Sequence, residues 1–226
     1  PYMGLDYNTT YTFTLPGNSV SDFYGNKIKE NITLKFTTIA PPVVTPGMYD
    51  AIASNAEELL EALAKGNEAS TSGERFRIFL HDGIYDLGEL CLTDVKSNIS
   101  LIGESMENTI IVNKAPVEGI SVSATLRPTG ENIYMQDLTL KNDYDYQGST
   151  GRAVCLQDKG NKNVYKNIRM LSYQDTYYSN NNRMRSYFED SEIHGTVDFI
   201  CGGGDVFFNR TLLYLCLLYT SDAADE

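Results

Sequence analysis

A six-residue pattern, apolar–x–Asp/Asn–x–x–apolar, limits the fold of this chain more than any other feature of its sequence. Four copies lie in the second half of the chain, and they are MQDLTL (135–140), YKNIRM (165–170), FEDSEI (188–193) and FFNRTL (207–212). Their first residues are 30, 23 and 19 positions apart. Coils of about 20 to 30 residues with loops of variable length are typical of a parallel β-helix. An up-and-down sandwich would need tight hairpin turns, which are scarce here, so the pattern predicts an all-β solenoid.

A single helix is predicted before the repeats. Ser54 and Glu57 have the spacing of a capping box, and Gly66 has the position of a helix terminator. The residues between them form an apolar stripe of Leu59, Leu60 and Leu63.

The first 38 residues form a separate pattern. Alternation in YTFTL (11–15), a turn at DFYGN (22–26) and a second strand at LKFTT (34–38) favour an antiparallel β-sandwich. This stretch resembles the C-terminal half of a bacterial Ig-like domain. We therefore predict an Ig-like fragment over 1–38 and a stiff, proline-rich linker over 39–48.

Composition excludes some classes of function. A formal net charge of −12 argues against a nucleic-acid partner. The sequence contains no run of about 18 apolar residues, so no membrane span is predicted. Four cysteines without metal-ligand spacing indicate neither a zinc site nor a disulfide framework. Seven basic and two acidic residues lie between Arg152 and Arg185. This basic zone indicates an anionic ligand, or else a solvated face with chance clustering.

Two aspartates follow two copies of the pattern at the same distance. Asp175 follows Tyr165 by ten residues, and Asp198 follows Phe188 by ten residues. If these copies stack, the carboxylates lie on neighbouring strands about 4.8 Å apart. One pKa should then rise and the other fall, which yields a proton donor and an ionised nucleophile. The alternative is that surface aspartates recur by chance at strand ends.

The segments around these aspartates resemble a known family. SYQDTYYSNNNRMRSYF (172–188) and HGTVDFICGGGDVFFN (194–209) resemble the QDT and GTVDFIFG motifs of pectin methylesterases. HDGIYDLGE (81–89) and SLIGESMENTIIV (100–112) are similar to earlier segments of that family. The resemblance covers roughly 49–213, and it implies a right-handed parallel β-helix over 49–215 that demethylates homogalacturonan.

The resemblance also implies roles for individual residues. Asp198 would be the nucleophile toward the C6 methyl ester, and Asp175 would protonate the departing methanol and then act as a base. Gln174 would donate its amide N–H to the oxyanion. The implied chemistry needs no metal and no cofactor.

Four further residues are candidates for substrate binding. Arg152 stands where the family usually has a glutamine, so it would stabilise the oxyanion or bind a uronate carboxylate. The aromatic candidates for a sugar-stacking wall are Phe199, Tyr177 and Tyr178, although all three would also suit buried ladder positions.

Both ends of the sequence depart from the family. The LGRPW segment, with its arginine beside the nucleophile, is absent, and CLLYTSDAADE (216–226) resembles a translated sequencing adapter. We therefore expect a β-helix that is incomplete at its C-terminal end, a start that lies upstream, and no activity from the 226 residues alone. The complete protein is expected to be monomeric and exported, to the periplasm, cell surface or medium of a bacterium, because polymeric pectin stays outside cells.

Other functions remain open at this stage. A β-helical polygalacturonase would show NTD, paired-Asp and RIK-type segments, which are absent, and a pectate lyase would show a calcium-binding carboxylate cluster. A non-catalytic pectin-binding or scaffold β-helix is supported by the replacement of the usual glutamine by Arg152. Methanol release would distinguish an esterase from this last alternative.

Overall fold

A computed structural model describes Leu5 and residues 7–40, 44–45, 47–145 and 151–216. The chain divides into two compact units, Pro1–Val44 and Thr45–Glu226. Most of the predicted adapter-derived tail, residues 217–226, lies outside the described residues, as does part of the predicted linker. Within the described ranges, no helix is long and apolar enough to cross a membrane.

The first unit contains two antiparallel strands, β1 (Thr10–Leu15) and β2 (Ile32–Thr37). Asp22 forms the predicted turn, because its Oδ1 accepts the backbone N–H groups of Tyr24 and Asn26, both at 2.9 Å. The two strands and the turn predicted from the sequence are therefore confirmed. The relationship to an Ig-like domain stays a prediction.

The second unit opens with β3 (Ala51–Ala53) and the helix α1 (Ala56–Ala69), which is followed by a single 3₁₀ turn. Asn55 caps the helix, since its side chain accepts the N–H of Glu58, and the Glu58 carboxylate accepts the N–H of Ser54. The predicted capping box is thus shifted by one residue. Asparagine and serine are about equally good N-cap residues, so the sequence alone does not decide between Ser54 and Asn55.

Gly66 does not end α1 as predicted. It is buried within the helix, and a Cβ at this position would lie 3.0 Å from the Phe76 ring and 3.2 Å from Ile99. This glycine therefore serves close packing of the helix against the first coils rather than termination.

Parallel strands form the rest of the unit, in three ladders. The first ladder uses β4 (Phe76–Leu80), β7 (Ile99–Gly103), β10 (Tyr134–Asn142), β12 (Asn163–Leu171), β14 (Arg185–Glu189) and β17 (Asp205–Asn209), and β3 pairs with β4 at its end. The second ladder uses β5 (Gly83–Asp86), β8 (Thr109–Asn113), β15 (Glu192–Gly195) and β18 (Leu212–Leu215), together with the later residues of β10 and β12, which pair with β8 and β15. The third ladder uses β6 (Thr93–Val95), β9 (Leu126–Pro128), β11 (Leu156–Asp158), β13 (Tyr177–Ser179) and β16 (Ile200–Gly202). Each coil contributes to successive ladders, which is the right-handed parallel β-helix that was predicted.

The Asp/Asn position of the sequence pattern marks the bend between the first and second ladders. Asp137, Asn167 and Asp190 have φ angles of 55°, 48° and 50°. Aspartate and asparagine tolerate this left-handed region better than most residues, because their short side chains form local hydrogen bonds. Asn167 Nδ2, for example, donates to Asp137 Oδ1 at 2.6 Å on the preceding coil. The pattern is therefore a bend signal repeated once per coil.

The fourth copy of the pattern is displaced by one residue from its predicted position. Phe188 pairs with Phe208, not with Phe207, and Ile193 pairs with Leu213. Arg210 consequently occupies the bend, with a φ of 46°, and its guanidinium pairs with Asp190 at 2.6 Å. Phe208 stacks on Phe188 at 5.1 Å between ring centroids. Packing of this aromatic ladder sets the register, and the asparagine at 209 does not.

Candidate active site

Asp175 and Asp198 lie opposite each other on consecutive coils, immediately before the third ladder. Tyr177 pairs with Ile200 at the start of two neighbouring strands, and the N–H of Asp175 donates to the Val197 carbonyl at 3.3 Å, so the residues just before the strands are also neighbours. Both aspartates have left-handed φ angles, 62° at Asp175 and 48° at Asp198. Neighbouring strands are about 4.8 Å apart, and Tyr165 pairs with Phe188 as the ten-residue offsets require. The structure therefore places the two aspartates on neighbouring coils, as the equal offsets predict.

A tightly packed corner holds the two aspartates in place. Thr176 is fully buried, and its hydroxyl donates to the carbonyl oxygens of His194 at 2.9 Å and Tyr173 at 3.2 Å. The N–H of Thr196 donates to the Tyr173 carbonyl at 2.8 Å. Gly195 has no room for a side chain, because a Cβ there would lie 2.5 Å from Thr176 Oγ1 and 2.6 Å from the Tyr173 oxygen. The backbone on both sides of the pair is therefore fixed by interior contacts.

The two carboxyl groups have different surroundings. Asp175 is only 3% exposed, whereas Asp198 is exposed to solvent. Burial raises the pKa of Asp175 above its ordinary value, and the neighbouring Asp198 carboxylate raises it further, while the Arg152 guanidinium opposes both. A buried carboxyl with a raised pKa is suited to hold a proton, and an exposed carboxylate can reach a substrate.

Gln174 immediately precedes Asp175 in the chain. Its backbone N–H donates to the Gly151 carbonyl at 3.2 Å, and its own carbonyl accepts the N–H of Ala153 at 2.9 Å. A bridge between Arg152 and Gln174 places these two residues side by side on adjacent coils. The structure therefore brings all four polar candidates, Arg152, Gln174, Asp175 and Asp198, to one corner of the β-helix.

Arg152 is not a free cation at this corner. Its Nε donates to Glu118 Oε2 at 2.6 Å and its Nη2 donates to Oε1 at 2.7 Å. The guanidinium side chain is 46% exposed and the Glu118 side chain 27%. Sequence reasoning missed Glu118, because it lies 34 residues before Arg152 in a loop without a recognisable motif.

Cys201 is a second residue that the sequence analysis did not select. It pairs with Tyr178 in the third ladder, and its thiol interacts with Asp175 and with the Tyr177 carbonyl, the latter at 3.8 Å. Burial, with the charges of Asp175 and Asp198, raises the pKa of this thiol to about 12. The thiol is therefore neutral at pH 7 and acts as a weak hydrogen-bond donor to the site.

The prediction that Tyr177 contacts a sugar is wrong. Tyr177 is fully buried, its hydroxyl donates to Asp158 at 3.3 Å, and its ring meets Phe188 edge-on at 4.9 Å. It points into the β-helix because it stacks on the buried Leu156 of the preceding coil. Tyr178 and Phe199 are half-buried, so their contact with a sugar stays a prediction.

Asp158 is a buried carboxylate beneath the site. Its two oxygens accept five hydrogen bonds, from Gly160 N, Asn163 Nδ2, Tyr165 Oη, Tyr177 Oη and Ser186 Oγ. These donors satisfy the buried charge. Because Tyr177 follows Asp175 by two residues, the network anchors the strand that begins just after Asp175.

The two aspartates do not lie in the large groove of this structure. A groove of about 760 Å³ lies along the first ladder, where it is lined by residues such as Lys162, Arg185, Tyr187 and Phe207. Neither aspartate of the pair lines this groove. Across the described ranges, no group of three or more His, Cys, Asp and Glu side chains could hold a metal ion.

Comparison with known proteins gives one consistent family. Residues 50–218 match the sequence model of the family described as Pectinesterase. Pectinesterase 2.2 of Solanum lycopersicum is 32% identical over 158 residues, which are 69% of this chain and 28% of the tomato protein. The chain spans about a third or less of the length of the first curated relatives that it matches.

Solved structures agree with the fold. Pectin methylesterase PemA from Erwinia chrysanthemi is 26% identical, with a TM-score of 0.61 over 76% of this chain and 56% of that chain. The pectin methylesterase from carrot is also 26% identical, with a TM-score of 0.63 over 76% of this chain and 54% of the carrot chain.

Proposed function

Because the chain belongs to the pectinesterase family, we propose that the complete protein hydrolyses the C6 methyl esters of homogalacturonan to pectate and methanol. The observation that carries the proposal is the pair formed by a buried Asp175 and an exposed Asp198 on consecutive coils. Ester hydrolysis through an acyl intermediate needs a nucleophile, a proton donor and an oxyanion donor. We assign the role of nucleophile to Asp198, of proton donor to Asp175 and of oxyanion donor to Gln174.

In the first half-reaction, the Asp198 carboxylate attacks the C6 carbonyl carbon. The carbonyl oxygen becomes an oxyanion that accepts the side-chain N–H of Gln174. The C–O bond to the methoxy group then breaks as Asp175 transfers its proton to the leaving oxygen. Methanol departs, and an acyl anhydride joins the substrate to Asp198.

In the second half-reaction, water replaces Asp198. The ionised Asp175 removes a proton from a water molecule, whose oxygen attacks the acyl carbon. Asp198 leaves as a carboxylate, and Asp175 is protonated again. The raised pKa of Asp175 supports this role, because a carboxyl group that exchanges a proton twice per cycle needs a pKa above the ordinary range.

Substrate binding is proposed for the residues that line the same corner. Arg152 offers guanidinium N–H groups beyond the two that bind Glu118, and they suit a uronate carboxylate. Tyr178 and Phe199 are the aromatic candidates for sugar stacking. The proposed partner is methyl-esterified homogalacturonan, and the proposed location is outside the bacterial cytoplasm.

Methanol release from highly methylated pectin tests the proposal. The assay should use the chain as printed and a version extended by the C-terminal coils of a homologous pectinesterase. Asp198→Asn should abolish release, because an amide is a poor nucleophile, and Asp175→Asn should be nearly as damaging. Asp205→Asn is the matched control, since it changes an exposed aspartate of the first ladder.

Three outcomes would separate the alternatives. Methanol that depends on Asp198 supports the esterase. New reducing ends without methanol would indicate a polygalacturonase-type hydrolase. Pectin binding without either product would indicate the non-catalytic alternative.

A further inference from the structure

We propose that Glu118 is a positioning residue of this site, which holds the Arg152 guanidinium at the corner that carries Gln174 and Asp175 and compensates its positive charge. The inference deepens the proposed esterase and rests on it. Its basis is the geometry of one loop, of one ion pair and of the charges that face Asp175.

Two hydrogen bonds fasten the loop that carries Glu118 to the backbone carbonyl of Arg152. Gly119 N donates to the Arg152 carbonyl at 2.8 Å, and Ser123 Oγ donates to the same oxygen at 3.1 Å. Ser123 Oγ also contacts the Gly119 carbonyl at 2.7 Å. Glu118 therefore has a defined place opposite the Arg152 side chain before the ion pair forms.

The ion pair leaves part of the guanidinium outside it. Glu118 binds Nε and Nη2 of Arg152, so the Nη1 group is not part of the pair. A guanidinium carries five N–H donors in a rigid plane, so fixing one edge also fixes the direction of the others. Arg152 neighbours Gln174 on the next coil, and its charge acts on Asp175.

The charges around Asp175 explain why compensation matters. Four groups face this carboxyl: Asp198 and Glu118 raise its pKa, while Arg152 and the Cys201 thiol lower it. An uncompensated arginine would favour the ionised form, which cannot protonate methanol. Glu118 offsets part of that effect, so the ion pair presents guanidinium N–H donors at this corner with little net charge.

The ion pair between Glu118 and Arg152 is expected to contribute little to the free energy of unfolding. Exposed ion pairs contribute roughly 0 to 1 kcal/mol. The pair between Lys162 and Glu131, with an N–O distance of 2.9 Å, is also exposed, and neither of its charges contributes to the pKa shift of Asp175. It therefore provides a matched control.

The test is the titration of Asp175 in four forms of the chain: the parent, Glu118→Gln, Arg152→Gln and the double variant. Carboxyl ¹³C chemical shifts follow the titration, and Asp175→Asn assigns the signal. The apparent pKa should fall in Glu118→Gln and rise in Arg152→Gln, and in the double variant it should return close to the parent. Glu131→Gln should leave it unchanged.

A kinetic readout accompanies the titration. In the extended enzyme, the basic limb of kcat/KM against pH should move to lower pH in Glu118→Gln and back in the double variant. An unchanged Asp175 titration in Glu118→Gln, or a double variant that stays at the Glu118→Gln value, would overturn the inference. Failure of the extended enzyme without substitutions to release methanol would contradict the proposed esterase instead. The order of the four pKa values would then still decide whether the ion pair acts on Asp175.

Discussion

Substitution of Gly195 by alanine should damage the site from a position that touches no substrate. A Cβ at Gly195 would lie 2.4 Å from Phe199 Cβ, 2.5 Å from Thr176 Oγ1 and 2.6 Å from the Tyr173 oxygen. Ordinary carbon contacts are about 3.5 to 4.0 Å, so the surrounding atoms must move by roughly 1 Å. Phe199 follows Asp198 and Thr176 follows Asp175, so the movement reaches both carboxyl groups.

The expected magnitudes follow from this overlap. Overpacking of a well-packed interior costs about 1 to 3 kcal/mol. For a domain of this size, that cost lowers Tm by about 2 to 12 °C. A displacement of about 1 Å in a catalytic group lowers the rate by about 100-fold. We therefore expect a folded Gly195→Ala variant with a modest loss of Tm and a much larger loss of kcat.

Gly83→Ala is the matched control. The nearest atom to a Cβ at Gly83 is 3.7 Å away, which is an ordinary contact. Thermal unfolding and methanol release of the two variants, both in the extended enzyme, make the comparison. Equal Tm and equal kcat in Gly195→Ala and Gly83→Ala would refute the claim that packing behind the corner holds the aspartates.

Three further predictions concern Asp158, Asp175 and Cys201. Asp158→Ala should lower the free energy of unfolding by more than about 3 kcal/mol, because five donors lose their acceptor, and urea unfolding with Ser186→Ala as the single-donor comparison checks this. Asp175→Asn should stabilise the protein at pH 7: the folded pKa of Asp175 is raised, so its favourable contribution is complete below the unfolded pKa and is lost as pH rises through the folded pKa. Tm measured from pH 3 to pH 8 should show that gain only at the higher pH values, and a constant difference would contradict it. The Cys201 thiol, with its pKa raised to about 12, should react with iodoacetamide at pH 7 far more slowly than in the unfolded chain.

The sequence could predict the aspartate pair because its signal repeats with the fold. Asp175 and Asp198 stand at the same offset from Tyr165 and Phe188, and those two residues pair in the first ladder. Each coil must bend at the same place, so the bend residues at 137, 167 and 190 expose the period. A residue position that recurs in every coil can therefore be recognised from the sequence alone.

The errors arise where packing decides between equivalent sequence alignments. FFN offers two phenylalanines for one ladder position, and stacking on Phe188 selects Phe208. Tyr177 and Tyr178 are adjacent and chemically alike, and only the pairing of Tyr177 with buried Leu156 shows which one points inward. Alternation along a strand gives two faces but does not label them.

Glu118 could not be found from the sequence because a loop brings it to Arg152. Loops leave the coils of a β-helix at irregular lengths, so residues on them carry no period. The Arg152 substitution in the family motif was visible, but its partner was not. The ion pair itself, with the bonds from Gly119 N and Ser123 Oγ to the Arg152 carbonyl, identifies the acidic residue that faces it.

Chemical trapping of the acyl intermediate tests the central claim most directly. Hydroxylamine attacks either carbonyl of an anhydride, so with methylated oligogalacturonate present it should leave a hydroxamate on the nucleophilic aspartate. Peptide mass spectrometry of the extended enzyme should find this mark at Asp198, only when substrate is present, and not in Asp198→Asn. Substrate-dependent modification of a different carboxyl group, or full methanol release by Asp198→Asn, would contradict the assignment of Asp198 as the nucleophile.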